Sequence, residues 1–439
     1  MRISIRIHAS VRHFSTMTVL LPFELHELII DHLRFSFPEL KVCSLVCKSW
    51  LPRCRKHLFR VVRIGPRSRV DPNLYEHGQP TFFSLLPDTL SCVRGLRLSY
   101  PFGPGYSSTS VYVAAHSRLI VSSLAPSAFP FKHLRLLHVN WRHHCGIGGI
   151  TAFDIMLQQI DCLEHLIIEG HWNFNIREDI LRSVAVHAPN LKTLCLSKLQ
   201  WFPLFNPPII DDMLSRWNAR FCEKCIPPLR LQRLCLKNLV KNSADLVKVV
   251  VLPSPCLDLS DLRYLAMPAS SLLGALDKGR FPYLCTEVTH LAIINVDTPA
   301  FRLHAHSFPK ISHLQLFIRE DWILLQFLQN IREDVTCISR LIHVHMNFGS
   351  NSREQLADSN SNFSDDLLKQ HSDVLSDAGD LILLELIQQT SMRVSMHFAQ
   401  ADSSDTHRKC IQKVFPRSFA TGRLDWVDRK SLEWWSDYE

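Results

Sequence analysis

The sequence predicts an α/β protein in which three N-terminal helices precede an irregular solenoid of leucine-rich units. Apolar residues recur at three- and four-residue spacing between residues 21 and 59, which is typical of short helices. One leucine pattern occurs nine times between residues 93 and 346, which is typical of stacked repeats that share a core. Hydrophobic residues make up 46% of the chain, so a large buried core is expected.

The first predicted helix runs from Leu21 to Leu33. Pro22 suits its first turn, where the missing N–H needs no partner. Glu24 and Glu27 place negative charge near the positive end of the helix dipole. One apolar stripe is formed by Leu25, Leu28, Ile29 and Leu33.

Two more short helices are predicted to begin at Pro38 and Pro52, and a strand at residues 61–64. The apolar stripes of the two helices are Leu40, Cys43, Val46, Cys47 and Trp50, and then Cys54, Leu58 and Phe59. Three helices in about 40 residues form a core too small to be stable alone. Their apolar side chains exceed what that core can cover, so a partner surface is expected.

This segment resembles the F-box. Leu-Pro-x-Glu-Leu-x-x-x-Ile occupies residues 21–29, and Leu33 follows. Residues 43–50, Cys-Ser-Leu-Val-Cys-Lys-Ser-Trp, are similar to the central helix of that family, and residues 58–59 match its closing position. The connection at residues 34–37 departs from the family because it lacks the acidic residue common there. The resemblance covers about one tenth of the chain.

The resemblance implies a substrate-recognition subunit of a Skp-cullin-F-box ubiquitin ligase, which performs no bond chemistry itself. Its partner would be the Skp-type adaptor, bound by helices in a groove with an aromatic anchor. The adaptor-binding residues implied are Leu21, Pro22, Leu25, Ile29, Ile30, Val46, Cys47 and Trp50. The alternative is a leucine-rich scaffold without ligase association, whose three helices pack only on the rest of the chain.

Each repeated unit begins with an apolar residue. After two further residues comes a residue that is usually leucine, and after one more residue comes a second apolar residue. The units begin at residues 93, 134, 163, 191, 231, 262, 288, 311 and 341. The alternation at the end of each unit predicts a short strand. Start-to-start gaps of 23 to 41 residues predict an irregular solenoid, with helices at 176–186 and 321–331 on its convex side. A conventional α/β domain with leucine-rich strands is the alternative.

The concave strand face is predicted to bind a protein client. The outward residues proposed for this contact are Arg97, His138, Lys192, Arg233 and Arg263. They are partly basic, which favours an acidic client. Residues 1–70 contain thirteen Lys/Arg against four Asp/Glu, but these interleave with an apolar helical pattern rather than with aromatic platforms. A protein partner is therefore predicted, and no nucleic acid.

Motifs for catalysis or metal binding are sparse. Cys222 and Cys225 have metal or redox spacing, but a zinc site needs four ligands and no second pair follows. His143-His144-Cys145 precedes a glycine-rich turn, at residues 146–149, that lacks the Gly-Lys-Ser/Thr ending of a phosphate loop. We predict no enzyme activity, no cofactor and no metal. An enzyme using these cysteines and histidines is the rival hypothesis.

Three histidines occupy the same slot in different units, directly before the strand leucine. They are His165, His290 and His313. This slot is at the start of a strand, so a structural role or a place on the binding face is predicted rather than catalysis.

The predicted organisation is a disordered tail at 1–18, the F-box at 19–65, the solenoid at 80–348, a mobile insertion at 349–377, and a last repeat with a cap at 378–439. The insertion is rich in Ser, Asn and Asp. The first twenty residues have three arginines and no acid, so a mitochondrial transit segment, or translation from Met17, is an alternative to the tail. Residues 424–439 would cap the open edge or form a partner motif.

The predicted location is the cytoplasm or nucleus, without membrane contact. No stretch approaches the roughly 20 apolar residues needed to cross a bilayer. Most of the fourteen cysteines lie inside apolar runs such as Leu194-Cys195-Leu196, which is typical of cysteines that pack in a core. Free core cysteines indicate a reducing compartment.

Overall fold

The computed structural model describes residues 22–64, 91–100, 131, 133–141, 153–170, 174–197, 228–237, 257–269, 272, 286–296, 308–318, 321–333, 340–348, 377–398 and 404–426. The chain divides into two compact units, residues 1–60 and 61–439. No helix in the described ranges has the length and apolar character that crossing a membrane requires.

The first unit contains the three predicted helices. They are α1 (Phe23–His32), α2 (Phe37–Val46) and α3 (Leu51–Leu58), with a 3-10 turn at Leu33–Phe35. Proline lies in the first turn of α2 and of α3, where its fixed φ fits and its missing N–H costs nothing. Helix α2 ends earlier than predicted, because Cys47 is extended and Trp50 directly precedes α3.

A very small core holds these helices together. Ile30, Leu40 and Cys54 are buried, one from each helix. Leu33, Cys43, Trp50 and Leu58 pack around them while remaining partly exposed. Each helix therefore contributes one fully buried side chain to this core. The other apolar side chains of the three helices are partly or largely exposed.

The second unit is built on a parallel sheet, which confirms the predicted α/β class. Its elements are β1 (Val61–Ile64), β2 (Gly95–Tyr100), β3 (Leu136–Trp141), β4 (His165–Gly170), α4 (Phe174–His187), β5 (Thr193–Ser197), β6 (Leu229–Arg230), β7 (Arg233–Lys237), β8 (Leu257–Asp258), β9 (Tyr264–Pro268), β10 (His290–Val296), β11 (His313–Ile318), α5 (Asp321–Glu333), β12 (His343–Phe348), α6 (Asp377–Gln389), β13 (Arg393–Phe398), α7 (Ser404–Val414), α8 (Pro416–Ala420) and β14 (Leu424–Trp426).

The strands lie in the sheet in the order in which they occur in the chain. Among the described residues the main sheet has twelve strands, and β6 and β8 form a separate pair. Each of the nine repeated units contributes one strand to the main sheet. The strand predicted at residues 61–64 and the helices predicted at 176–186 and 321–331 are also present.

Strand β1 belongs to the sheet rather than to the helical unit. It pairs in parallel with β2, and Val61 lies opposite Gly95. A Cβ atom on Gly95 would be 3.1 Å from Val61 Cγ2, so glycine allows this close approach. The boundary between the units therefore falls at residue 60, five residues before the predicted end of the F-box segment.

Alternation along the strands separates an apolar face from a polar face. Residues of the apolar face are buried in strand after strand, as in Leu166, Ile168, Leu194, Leu196, Leu234, Leu236, Leu291, Ile293, Leu314 and Leu316. Because the side-chain period of a strand is two, the residues between them point to the other face. That polar face carries most of the charged and imidazole groups of the strands.

The last strand, β14, pairs in parallel with β13 and follows it in the sheet order. Helices α7 and α8 contact β14, and α8 also contacts α6. The residues predicted to form the cap lie outside the described part of the chain after residue 426. The insertion predicted at 349–377 falls outside it too, except for Asp377 at the start of α6.

Candidate interaction surfaces

The first unit presents a large set of solvent-exposed apolar side chains, here called the apolar surface. Its members are Phe23, Leu25, Leu28 and Ile29 on α1, and Phe37, Val42, Leu45 and Val46 on α2. Leu45 is 86% exposed, more than any other large apolar side chain in the described ranges. The second unit exposes only Val186, Ile342 and Leu381 among its described large apolar residues. Among the described residues, apolar exposure is therefore concentrated in the 24-residue segment from Phe23 to Val46.

An ionic cluster joins α1 to α3. Arg53 Nε donates to Asp31 Oδ1 at 2.7 Å, and Arg53 Nη2 contacts the other carboxylate oxygen. His57 Nε2 lies 2.7 Å from Asp31 Oδ1, and Glu27 Oε1 lies 3.7 Å from Arg53 Nη1. Hydrogen bonds from Arg53 and then His57 hold the pKa of the Asp31 carboxyl well below its usual range.

Most of the adaptor-binding residues implied by the resemblance are exposed. Pro22, Leu25, Ile29, Val46 and Cys47 are accessible to solvent, whereas Leu21 lies outside the described residues. The apolar surface also includes five side chains outside the predicted set, namely Phe23, Leu28, Phe37, Val42 and Leu45. Their three- and four-residue spacing in the sequence is the signal that places Leu28 beside Leu25, and Leu45 beside Val42.

The assignment of Ile30 to the adaptor surface is wrong. Ile30 is 1% exposed and packs in the small core of the helical unit with Leu40 and Cys54. Consecutive residues on a helix point about 100° apart, so exposing Ile29 turns Ile30 towards the interior. Trp50 is half-buried against the same core, and its ring centroid lies 5.3 Å from that of His26.

Cys47 is an exposed thiol between α2 and α3. Its Sγ lies 3.0 Å from Ser49 Oγ. The hydrogen bond with the Ser49 hydroxyl, helped by the backbone N–H groups of Trp50 and Ser49, lowers the pKa of the Cys47 thiol. The residue adds a polar, polarizable group at the edge of the apolar surface.

The polar face of the sheet carries a row of six residues in register across neighbouring strands, here called the histidine row. The row contains Arg233, Tyr264, His290, His313, His343 and Arg393, from β7 to β13. The imidazoles of His290 and His313 are stacked, with centroids 4.2 Å apart and planes at 10°. The ring of His343 lies 6.3 Å from that of His313 and 3.9 Å from that of His345, two residues further along β12.

Burial lowers the pKa of all four imidazoles of β10 to β12. The pKa of His290 falls to about 4 by burial and by repulsion from His313 and Arg233. That of His345 falls to about 4 by burial and by repulsion from His343 and His313. The same causes act on His313, through burial, and on His343, through burial, His313 and Arg393. The row is therefore neutral in its imidazoles at physiological pH.

Three of the five predicted client-binding residues lie on the polar face. Arg97 and His138 are register partners on β2 and β3, and Arg233 begins β7. Lys192 and Arg263 lie outside the strands, and their contact with a client stays a prediction. Each directly precedes a strand, β5 and β9, because the strand begins one residue later in the unit. Lys192 Nζ contacts Glu164 Oε2 at 3.3 Å.

In the β3–β4 part of the polar face, Glu169 lies beside two polar side chains. His138 Nε2 lies 3.6 Å from Glu169 Oε1, and Asn140 Nδ2 donates to Glu169 Oε2 at 2.9 Å. His165, at the start of β4, lies 3.0 Å from Thr193 Oγ1 through its Nδ1. Burial lowers the pKa of His165 to about 4, so it is a neutral structural side chain.

In the middle of the central strands, the side chains on the polar face are small or apolar. Ile167, Cys195, Cys235, Ala266 and Ala292 are register neighbours on successive strands and are buried. The hydrogen bond with the Cys235 thiol and then burial raise the pKa of the Cys195 thiol. Both cysteines are buried and serve as core residues, as predicted. Among the described residues, the large polar side chains of this face therefore lie at the starts of the strands and at the two ends of the sheet.

The predicted metal and redox candidates fall outside the described residues. They are Cys222, Cys225 and the segment His143–Cys145. Within the described ranges, no cluster of three or more His, Cys, Asp or Glu side chains is arranged to hold a metal ion. The hypothesis of an enzyme based on these residues stays a prediction.

A scan of the chain against models of known protein families found no match, and a search of curated proteins found none. Two surfaces of the described residues are candidates for binding a partner. One is the apolar surface of the helical unit, and the other is the polar face of the parallel sheet.

Proposed function

We propose that the protein is an F-box substrate receptor, which binds a Skp-type adaptor through its helical unit and a protein client through its sheet. The observation that carries this proposal is the apolar surface of Phe23 to Val46. Monomeric proteins rarely leave so dense an apolar patch in water, and such a patch marks a protein contact. The F-box resemblance of residues 21–59 assigns that contact to the adaptor.

The distribution of side chains in the helical unit fits this role. One residue from each helix, Ile30, Leu40 and Cys54, is used for internal packing. The remaining apolar residues of α1 and α2 stay available for a partner groove, and the Asp31–Arg53 contact holds α1 on α3. A rigid pair of helices loses little conformational freedom on binding, which favours affinity.

The second part of the proposal is that the sheet unit is an irregular leucine-rich-repeat solenoid. Its strands follow one another in chain order, each pairs in parallel with the next, and each repeated unit supplies one strand. Helices α4, α5 and α6 occur between strands, as convex-side helices of such a solenoid do. Stacked repeats offer a long face of strands for a client.

In this function the protein breaks and forms no covalent bonds. It holds the client beside the ligase and so raises the effective concentration of client at the site of ubiquitin transfer. This work would take place in the cytoplasm or nucleus, where Skp-type adaptors and their cullin partners act.

Co-purification of the full-length chain with a recombinant Skp-type adaptor tests the proposal. We expect a stable complex, and we expect Leu25→Asp to abolish it, because a buried unpaired carboxylate costs several kcal/mol, at least about 3. Trp50→Ala should weaken binding by removing an aromatic anchor that is half-buried against the core.

Val186→Asp is the matched control, since Val186 on α4 is 45% exposed and Leu25 is 43% exposed. This variant should bind the adaptor as the parent does. Failure of the parent chain to bind any Skp-type adaptor would contradict the proposal and favour the alternative, a leucine-rich scaffold without ligase association.

A further inference from the structure

We propose that Cys47 and Cys43 are a redox modification site, at which a peroxide produces a reversible disulfide that weakens the adaptor contact. This inference rests on the proposed function, because it adds a control to the contact between the apolar surface and the adaptor. Three features of the helical unit carry it: the exposure of Cys47, the polar neighbour of its sulfur and the position of Cys43 on the same helix.

Cys47 is the thiol that an oxidant in solution meets first. Of the seven cysteines whose side chains the structure describes, Cys47 alone is exposed. It follows Val46 directly at the C-terminal end of α2, in extended backbone. Susceptibility of a thiol to oxidation depends on its accessibility, so Cys47 should react before the half-buried and buried cysteines.

The surroundings of the Cys47 sulfur favour the thiolate, the form that attacks a peroxide. Its Sγ lies 3.0 Å from Ser49 Oγ. This hydroxyl, helped by the backbone N–H groups of Trp50 and Ser49, lowers the pKa of the Cys47 thiol. The contact with Ser49 should therefore accelerate the first step of oxidation.

Cys43 is placed to complete a disulfide with Cys47. Helix α2 extends to Val46, and a helix rises about 1.5 Å per residue, so the Cα atoms of residues 43 and 47 are roughly 6.2 Å apart. Disulfides join Cα atoms that are about 4.4–6.8 Å apart. Cys43 is half-buried at the edge of the small core, where its sulfur can turn outwards without opening that core.

Cys54, the third cysteine of these helices, is a poorer partner. Its side chain is 0% exposed and packs in the core with Ile30 and Leu40, so a bond with Cys47 would remove it from the core. Burial, and then repulsion from Cys43 and Cys47, raises the pKa of the Cys54 thiol. Cys54 therefore stays protonated, and we assign the second thiol of the site to Cys43.

The reaction takes place in two steps. The Cys47 thiolate attacks one oxygen of the peroxide, the O–O bond breaks, and a sulfenic acid and hydroxide form. The Cys43 thiol then attacks the sulfenic sulfur, so that the S–S bond forms and the oxygen leaves as water. Two electrons pass from the two sulfurs to the peroxide. A reducing dithiol returns these electrons and restores both thiols.

The disulfide alters the end of α2 that the adaptor is proposed to contact. The bond closes a ring that includes Leu45 and Val46, which are 86% and 60% exposed and belong to the apolar surface. The Cys47 sulfur has to leave Ser49 Oγ and turn back towards α2. Two apolar contacts of the proposed adaptor site are therefore displaced together, and the adaptor should bind more weakly.

Peptide mass after trypsin digestion tests the bond itself. Trypsin cuts after Lys41 and Lys48, so Cys43 and Cys47 fall in one peptide, residues 42–48, and Cys54 falls in another. The full-length protein is treated with hydrogen peroxide, and the remaining thiols are alkylated. We expect the peptide of residues 42–48 to escape alkylation and to lack two hydrogens.

Two variants test the roles of the neighbouring groups. Cys43→Ala should form no disulfide and should leave a sulfenic acid at Cys47, which dimedone labels. Ser49→Ala should slow formation of the disulfide at neutral pH, because the thiolate loses its hydroxyl donor.

Adaptor affinity tests the consequence of the bond. After peroxide is removed, the treated full-length protein should bind a recombinant Skp-type adaptor roughly tenfold more weakly, and dithiothreitol should restore the affinity. Cys47→Ser, whatever its affinity when reduced, should show no further change with peroxide. Cys92→Ala is the matched control, since Cys92 is half-buried and belongs to the other unit, and this variant should respond as the parent does.

The outcomes separate this inference from the proposed function. Failure of the reduced parent chain to bind the adaptor would refute the proposed function, whereas the mass of the peptide of residues 42–48 decides the bond independently. Free thiols at Cys43 and Cys47 after peroxide, or a cross-link from Cys47 to Cys54, would overturn the inference. So would full adaptor affinity in a chain that carries the disulfide.

Discussion

Asp380 and Ser418 are 38 residues apart in the chain, and the Asp380 carboxylate accepts the backbone N–H of Ser418 at 2.9 Å. The other carboxylate oxygen accepts the N–H of Arg417 at 2.9 Å, and Ser418 Oγ donates to the Asp380 carbonyl. Asp380 on α6 thus caps the N-terminus of α8, whose own preceding residue, Phe415, offers no side-chain cap. This contact joins α6 to α8, which precede and follow β13 in the chain.

Replacing Asp380 with asparagine should destabilise the C-terminal part of the sheet unit. Asp380 is 1% exposed, and the amide of asparagine accepts through one oxygen only, so a buried N–H loses its partner. We expect a loss of about 1–3 kcal/mol in the free energy of unfolding, measured by urea denaturation. Asp261→Asn, at an exposed turn before β9, should change stability by less than about 0.5 kcal/mol.

The neighbours Ile29 and Ile30 should separate binding from stability. Ile30→Ala opens the core beside Leu40 and Cys54 and should cost about 2–4 kcal/mol. Ile29→Ala changes an exposed side chain and should leave the unfolding midpoint nearly unchanged while weakening adaptor binding. Urea unfolding and adaptor capture of both variants check this pair. Equal destabilisation by the two changes would contradict the placement of the two residues.

The Asp31 cluster should make the helical unit sensitive to acid. Because its pKa is lowered in the folded state, Asp31 contributes stability above its unfolded pKa, about 3.9, and loses that contribution as the pH falls further. Asp31 is one-third exposed, so solvent screening limits the effect to about 0.5–1 kcal/mol. Asp31→Asn should be less stable than the parent at neutral pH, and the gap should shrink near pH 3, measured by urea unfolding in the two buffers.

His345 should make the sheet unit less stable in mild acid. Its folded pKa of about 4 lies below the unfolded value of 6.5, so the unfolded chain binds more protons between these values. Stability is therefore full above about pH 6.5 and falls as the pH is lowered towards 4. His345 Nδ1 is also buried without a hydrogen bond.

His345→Leu should remove this part of the pH dependence, because leucine does not titrate and leaves no unsatisfied nitrogen. We expect the variant to exceed the parent in thermal midpoint at about pH 5 and to resemble it more closely at about pH 7.5. A parallel acid dependence in parent and variant would show that other groups control the transition.

Local pattern predicted most of the elements of this protein. The three helices followed from apolar residues at helical spacing and from prolines at helix starts, which depend only on nearby residues. The nine strands followed from alternation after a buried leucine, which is equally local. Local pattern is less informative where a one-residue difference decides the outcome, as for the exposed Ile29 and the buried Ile30.

The sequence by itself determined which segments become helices and strands and that residues 21–59 carry more apolar side chains than a small core covers. The tertiary structure decided which of those side chains are covered, since Ile30 is buried only because Leu40 and Cys54 pack on it. It also decided that His290, His313 and His343 form one row, because strand register is set by pairing between distant segments. The contacts of Asp31 with Arg53 and of Asp380 with Ser418 depend on distant segments in the same way, and no local pattern encodes them.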